Sequence, residues 1–213
     1  MFTLLSYGLL GIASGPLVVL ISFSITRREP VSRRLFDSIG WTTSLAASVF
    51  LGSALTYAAQ AVPRSAALVA WLVIVGLALA LVDWTCQRLP HILVGALFLG
   101  FLVQLGFMAL VSRDVDPLLR AGCAAAVTFA VGLLLYLVLG PELGFGDVTL
   151  TTSLALVLGW HGWSFVALGL TSGLIAAGAG TRALLVMRRI GRRDSIALGP
   201  ALLLGAIFSI LQA

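Results

Sequence analysis

The sequence predicts an all-α integral membrane protein, a polytopic helical bundle of about eight transmembrane helices forming one domain over residues 1–213. Three observations lead there. Hydrophobic residues make up 60% of the chain and charged residues only 10%, whereas a soluble domain carries about 25% charged residues. The apolar residues fall in long runs, most of them near the roughly 20 residues that a helix needs to cross a bilayer. Between the runs lie short polar segments rich in arginine, the pattern that orients membrane proteins.

The runs at 2–25, 41–62, 65–82, 92–111 and 118–139 supply five expected crossings. Residues 148–187 then carry a single charge, Arg182. At about 1.5 Å rise per residue, that stretch is long enough to cross a core roughly 30 Å thick twice. The reversal is expected at Gly159-Trp160-His161-Gly162-Trp163. Its first limb, 148–158, is a short sixth crossing, and 196–211 is the last. No Lys or Arg precedes Arg27, so the first run lacks the basic segment of a signal peptide and reads as a retained helix. No internal repeat, low-complexity tract or linker divides the chain.

Arginine placement sets the expected orientation. The first connection holds Arg27, Arg28, Arg33 and Arg34, and the third holds Arg88. The seventh holds Arg188, Arg189, Arg192 and Arg193, with Arg182 nearby, while Arg64, Arg113 and Arg120 fall to the opposite side. The odd connections are therefore expected in the cytoplasm and both termini outside. Trp41 and Trp84 fit the cytoplasmic interface and Trp160 and Trp163 the outer one, whereas Trp71 lies mid-run and reads as packing. Small residues such as those at 176–180 let helices approach closely. The net charge of +5 contains no lysine contribution. It belongs to this orientation pattern, with the lipid bilayer as partner and no nucleic acid. Cys86 and Cys123 form no CxxC pair, and no metal or cofactor is expected. Cys86 lies three residues after Asp83 and can line the same site, but nothing makes it a nucleophile.

Most of the acids have a plain structural reading. Glu29, Asp37 and Asp194 neighbour loop arginines, Asp114 and Asp116 fall in an outer loop, and Glu142 lies in a cytoplasmic loop. Asp83 and Asp147 differ. Asp83 closes a long apolar run, and Asp147 opens another directly after Gly144-Phe145-Gly146. Acids at the membrane edge face a bundle interior or a wet cavity. Two carboxyl groups held close cannot both ionise easily, so such a pair keeps one proton between them, which is the working state of an aspartic protease. The plain alternative is that each aspartate merely ends a helix. Glycine allows positive φ and close backbone approach, so Gly144 and Gly146 could open the helix start to a peptide. Pro141 suits the end of the fifth helix.

The segment Leu143-Gly144-Phe145-Gly146-Asp147-Val148-Thr149-Leu150 resembles the GxGD motif of prepilin peptidases, the type IV leader peptidases. In that family the motif follows a first aspartate placed a few residues before a Leu-Pro pair. Asp83-Trp84-Thr85-Cys86-Gln87-Arg88-Leu89-Pro90 is similar. Ala197-Leu198-Gly199-Pro200-Ala201 is similar to the family's Phe-Gly-Pro segment. The three matches run from the third helix to the last, in family order.

The resemblance implies an aspartic endopeptidase of the bacterial cytoplasmic membrane. It would remove the basic leader from pilin-like and pseudopilin precursors at the cytoplasmic face. Asp83 and Asp147 would be the catalytic pair, Gly144 and Gly146 the motif glycines, and Pro90 and Thr149 supporting or substrate-facing residues. Thr149 stands where the family usually has lysine, a departure that bears on activity and substrate choice because a nearby cation tunes an acid pair. Long family members carry an N-terminal insert with cysteine pairs, tied to N-methylation of the product. The connection 26–40 is short and has no cysteine, so a short-form peptidase without methyltransferase activity is expected. The match is poor around Ser14-Gly15-Pro16-Leu17. His91 reads as a loop residue near substrate or headgroups, and His161 as an outer residue remote from the chemistry. The competing reading is a catalytically silent relative, or a small transporter using Asp83 and Asp147 as ion or proton sites.

Overall fold

The computed structural model describes residues 2–27, 41–86, 89–140, 144–187 and 198–212, with the backbone alone at residues 2, 3, 27, 85, 86, 184 and 185. Arginines 28, 33, 34, 88, 188, 189, 192 and 193 lie outside the described residues, as do Glu29, Asp37, Pro141, Glu142, Leu143, Asp194 and Ala197. The expectations attached to them therefore concern sequence only.

Eight helices occur among the described residues. They are α1 Phe2–Arg27, α2 Trp41–Ala61, α3 Ala66–Cys86, α4 His91–Ser112, α5 Asp116–Leu139, α6 Phe145–His161, α7 Trp163–Val186 and α8 Gly199–Ile210. Five of them (α1, α3, α4, α5 and α7) are long and apolar enough to cross a membrane. The other three differ from the expected crossings for separate reasons. Helix α2 has 21 residues but carries Thr42, Thr43, Ser44, Ser48, Ser53 and Thr56. Helix α6 has 17 residues and α8 has 12. Among the described residues α8 begins at Gly199, not at 196.

Three pairs of neighbouring helices are antiparallel, and the contacts between them fix this. Gly11 meets Leu51 and Gly52 while Gly15 meets Ser48, so α1 and α2 are antiparallel. Gly132 meets Val148 and Gly159 meets Ala121 and Ala124, which does the same for α5 and α6. Gly169 touches Ser209 and Gly173 touches Leu202, pairing α7 with α8. The reversal between α6 and α7 falls at Gly162, whose φ of 144° an L side chain rarely adopts.

Small residues make these approaches possible. A β-carbon at Gly11 would lie 2.6 Å from the carbonyl of Leu51. One at Gly205 would strike the Gly169 carbonyl and the Gly173 amide. Such contact holds helices together in lipid, where burial of apolar surface gives little net drive. Trp71 packs over Gly100, as its mid-run position suggested, and its Nε1 donates to the Leu97 carbonyl at 3.3 Å. Helices α3 and α6 lie innermost. Two-thirds of the α3 span is buried (67%), against 11% for α5, and nine of the 17 residues of α6 are buried. The buried residues of α6 are its middle ones, Val148 to Gly159, so this part of the short helix meets protein.

Gly205→Val is expected to lower stability by about 3 kcal/mol through overpacking against backbone. Gly178, which has open space around its α-carbon, provides the control: Gly178→Val should be near neutral. Unfolding midpoints in detergent would separate the two.

Candidate active site

Asp83 lies within α3, three residues before its end, and not at the helix terminus. It is 4% exposed. Burying a carboxylate without partners is costly, and Asp83 meets that demand across the bundle. The backbone N–H of Gly199, the first residue of α8, donates to its Oδ2 at 3.0 Å. A β-carbon at Gly199 would sit 2.7 Å from the same oxygen. The close approach of chain to carboxylate therefore depends on glycine.

Asp147 occupies the first turn of α6, with Gly144 as N-cap and its own N–H donated to the Gly144 carbonyl at 2.9 Å. A helix N-terminus favours negative charge. Its carboxylate folds back over Gly144, where a β-carbon would lie 3.0 Å from Oδ2. The expected positive φ is absent: Gly144 has φ −68° and Gly146 continues the helix. Gly146 instead serves close approach, since a β-carbon there would come 2.8 Å from Cβ of Leu89.

Leu89 ties the site together. Its side chain touches Gly146 on one side and Gly199 on the other. The segment after α3, the start of α6 and the start of α8 therefore meet around one leucine. Asp147 follows Gly146 directly and Asp83 is held by the Gly199 amide, so Leu89 lies between the backbone segments that carry the two acids. In the sequence Leu89 is marked only by its place in the Leu-Pro pair. Pro90 caps α4, its carbonyl accepting from the Leu93 and Val94 amides at 3.0 and 3.2 Å. Phe145 stacks edge-on to Tyr136 of α5 at 5.6 Å and tilts against His91 at 6.2 Å. The Cys86 side chain is outside what the structure describes.

Thr149 turns its hydroxyl back to its own helix, donating to the Gly146 carbonyl at 2.9 Å. It lines a cleft of about 260 Å³ with His91, Phe98, Phe129, Thr152 and Ser153. Among the described residues no group of three or more His, Cys, Asp or Glu gathers that could hold a metal ion.

A second polar cluster sits at the far end of α6. Ser65 and His161 Nε2 are 2.9 Å apart, and His161 Nδ1 lies 3.1 Å from the Val157 carbonyl. If Nδ1 carries the proton donated to that carbonyl, Nε2 accepts from Ser65. Arg120 donates from Nε to the Gly159 carbonyl at 2.9 Å and from Nη2 to the Trp160 carbonyl at 2.6 Å. A cation suits a helix C-terminus. The two aspartates are thus at one end of the bundle and His161 at the other. In the sequence Arg120 is only an outer-side charge, and its role as a cap leaves no local signal.

No known protein family, curated protein or solved structure matches this chain.

Arg120→Met should cost about 1–3 kcal/mol, the worth of charge-assisted bonds to otherwise open carbonyls. Arg64→Met, at an exposed turn position, should leave the unfolding midpoint unchanged.

Proposed function

We propose that the chain is a membrane-embedded aspartic endopeptidase acting on pilin-like precursor proteins, with Asp83 and Asp147 as its acid pair. One observation carries the reading. Segments distant in sequence meet at one end of the bundle, where Leu89 packs on Gly146, next to Asp147, and on Gly199, whose amide holds Asp83. These are the segments whose motifs resemble those of prepilin peptidases. A helix-ending role for each aspartate alone gives no reason for such a meeting.

The chemistry is hydrolysis of an amide. One carboxylate takes a proton from water while the water oxygen attacks the scissile carbonyl carbon. The protonated partner donates to the carbonyl oxygen, giving a tetrahedral intermediate. Collapse of the intermediate breaks the C–N bond, and the first carboxyl returns its proton to the leaving nitrogen. The products are one acid and one amine for each water consumed, and the pair regains its starting proton. General acid–base assistance of this kind contributes about 10²–10⁴-fold.

Eight crossings, with the acids on the cytoplasmic side of a bacterial plasma membrane, are part of the same proposal. The arginine distribution supports it, as do the antiparallel helix pairs. The short connection 26–40 supports a peptidase without methyltransferase activity.

Co-expression with a pilin-like precursor should yield leader removal. Asp83→Asn and Asp147→Asn should each reduce it by at least about a hundredfold while membrane insertion persists. Cleavage retained by either variant would rule out the acid pair.

A further inference from the structure

The hydrogen bonds at the outer end of α6 fit a neutral imidazole. His161 lies beyond the stretch 148–158 that is expected to cross, at the reversal into α7. A carbonyl can only accept, so the Nδ1 atom 3.1 Å from the Val157 carbonyl carries a proton. Nε2 lies 2.9 Å from Ser65 Oγ, and in the neutral ring it accepts while Ser65 donates. Ser65 is 8% exposed, and Nε2 is the one partner of its hydroxyl among the described residues. Arg120, from α5, donates to the Gly159 and Trp160 carbonyls in the same turn as His161. The other charged groups at this end, Arg64, Arg113, Asp114 and Asp116, are exposed, as is Cys123. The first turn of α7 and the last turn of α8 have no titratable side chain, and Phe165 sets its ring 5.8 Å from the imidazole.

We propose that Ser65, His161 and Arg120 form a pH-sensitive latch on the outer end of α6, closed while the imidazole is neutral and released when Nε2 takes a proton. A protonated ring donates from both nitrogens. Ser65 Oγ would then have to accept, and its own O–H would be left in the interior without a partner, which is costly. The new positive charge would also share one helical turn with the Arg120 guanidinium, which already occupies the carbonyls that favour a cation at a helix C-terminus. Burial of the ring acts in the same direction. Together with the Arg120 charge it holds His161 below the ordinary histidine value, against the opposite pull of the bond to the Val157 carbonyl. The unfolded chain therefore takes the proton more readily than the latched one. The stability that the latch gives is complete above about pH 6.5 and is lost as the pH falls below that value. The latch stands whether or not the two aspartates act as an acid pair.

Amide hydrogen exchange of the full-length protein in detergent tests this, with rates corrected for the intrinsic effect of pH on exchange. Between about pH 8 and about pH 5.5 the amides of the last turn of α6, residues 158–161, should open about tenfold more often, while those of its middle turns change less. His161→Gln cannot titrate and should remove this response. An equal response in His161→Gln, a response spread evenly over the helices, or none at all overturns the latch. Where His161→Gln fails to insert, Ser65→Ala decides. With no hydroxyl left to strand, its acid response should shrink by about threefold or more. An undiminished response in Ser65→Ala overturns the proposal.

Discussion

Helices in lipid gain little from the hydrophobic effect, so this bundle depends on backbones that can touch. Gly11 and Gly15 seat α1 on α2, Gly159 seats α6 on α5, and Gly205 seats α8 on α7. Each pairing fixes the height of one helix against another. The heights matter because the candidate site is assembled from the ends of three helices. Were α8 to slide by one residue along α7, the Gly199 amide would move about 1.5 Å relative to Asp83, enough to break a 3.0 Å hydrogen bond.

Asp83 shows what such placement achieves. A carboxylate in the bundle interior needs a donor, and none of its neighbours on α3 supplies one in the described structure. The donor comes from a backbone amide 116 positions further along the chain. A side-chain donor would bring its own charge or bulk, whereas an amide at a glycine brings neither. Leu89, between two glycines, adds apolar contact without adding charge.

The helices were largely legible because apolar runs of the right length have few other outcomes. Helix ends were less so. Hydropathy ends the third run at Val82, but Asp83, Trp84, Thr85 and Cys86 contain no helix breaker, and the helix continues. The same limit applies to the glycines of 144–146: a glycine before an acid suggests an unusual turn, but Gly146 is needed for room against Leu89. Counting crossings from apolar length also falls short for α6 and α8, because length says nothing of whether a helix lies against lipid or within protein. Shared depth at the membrane edge is the one signal in the residues themselves for pairing Asp83 with Asp147. The Gly199 amide could not be foreseen from periodicity, since it depends on the register of α8 against α3.

The outer end of α6 is fastened from two directions, by Arg120 on its last carbonyls and by Ser65 on His161. Its inner end is attached mainly by apolar contact around Gly146. A rod held at one end sweeps its widest arc at the other, so a tilt of α6 about its fastened outer end would displace most its first turn, which carries Asp147. The far-side clamp would be the fulcrum of such a tilt, and the length of α6 its lever arm.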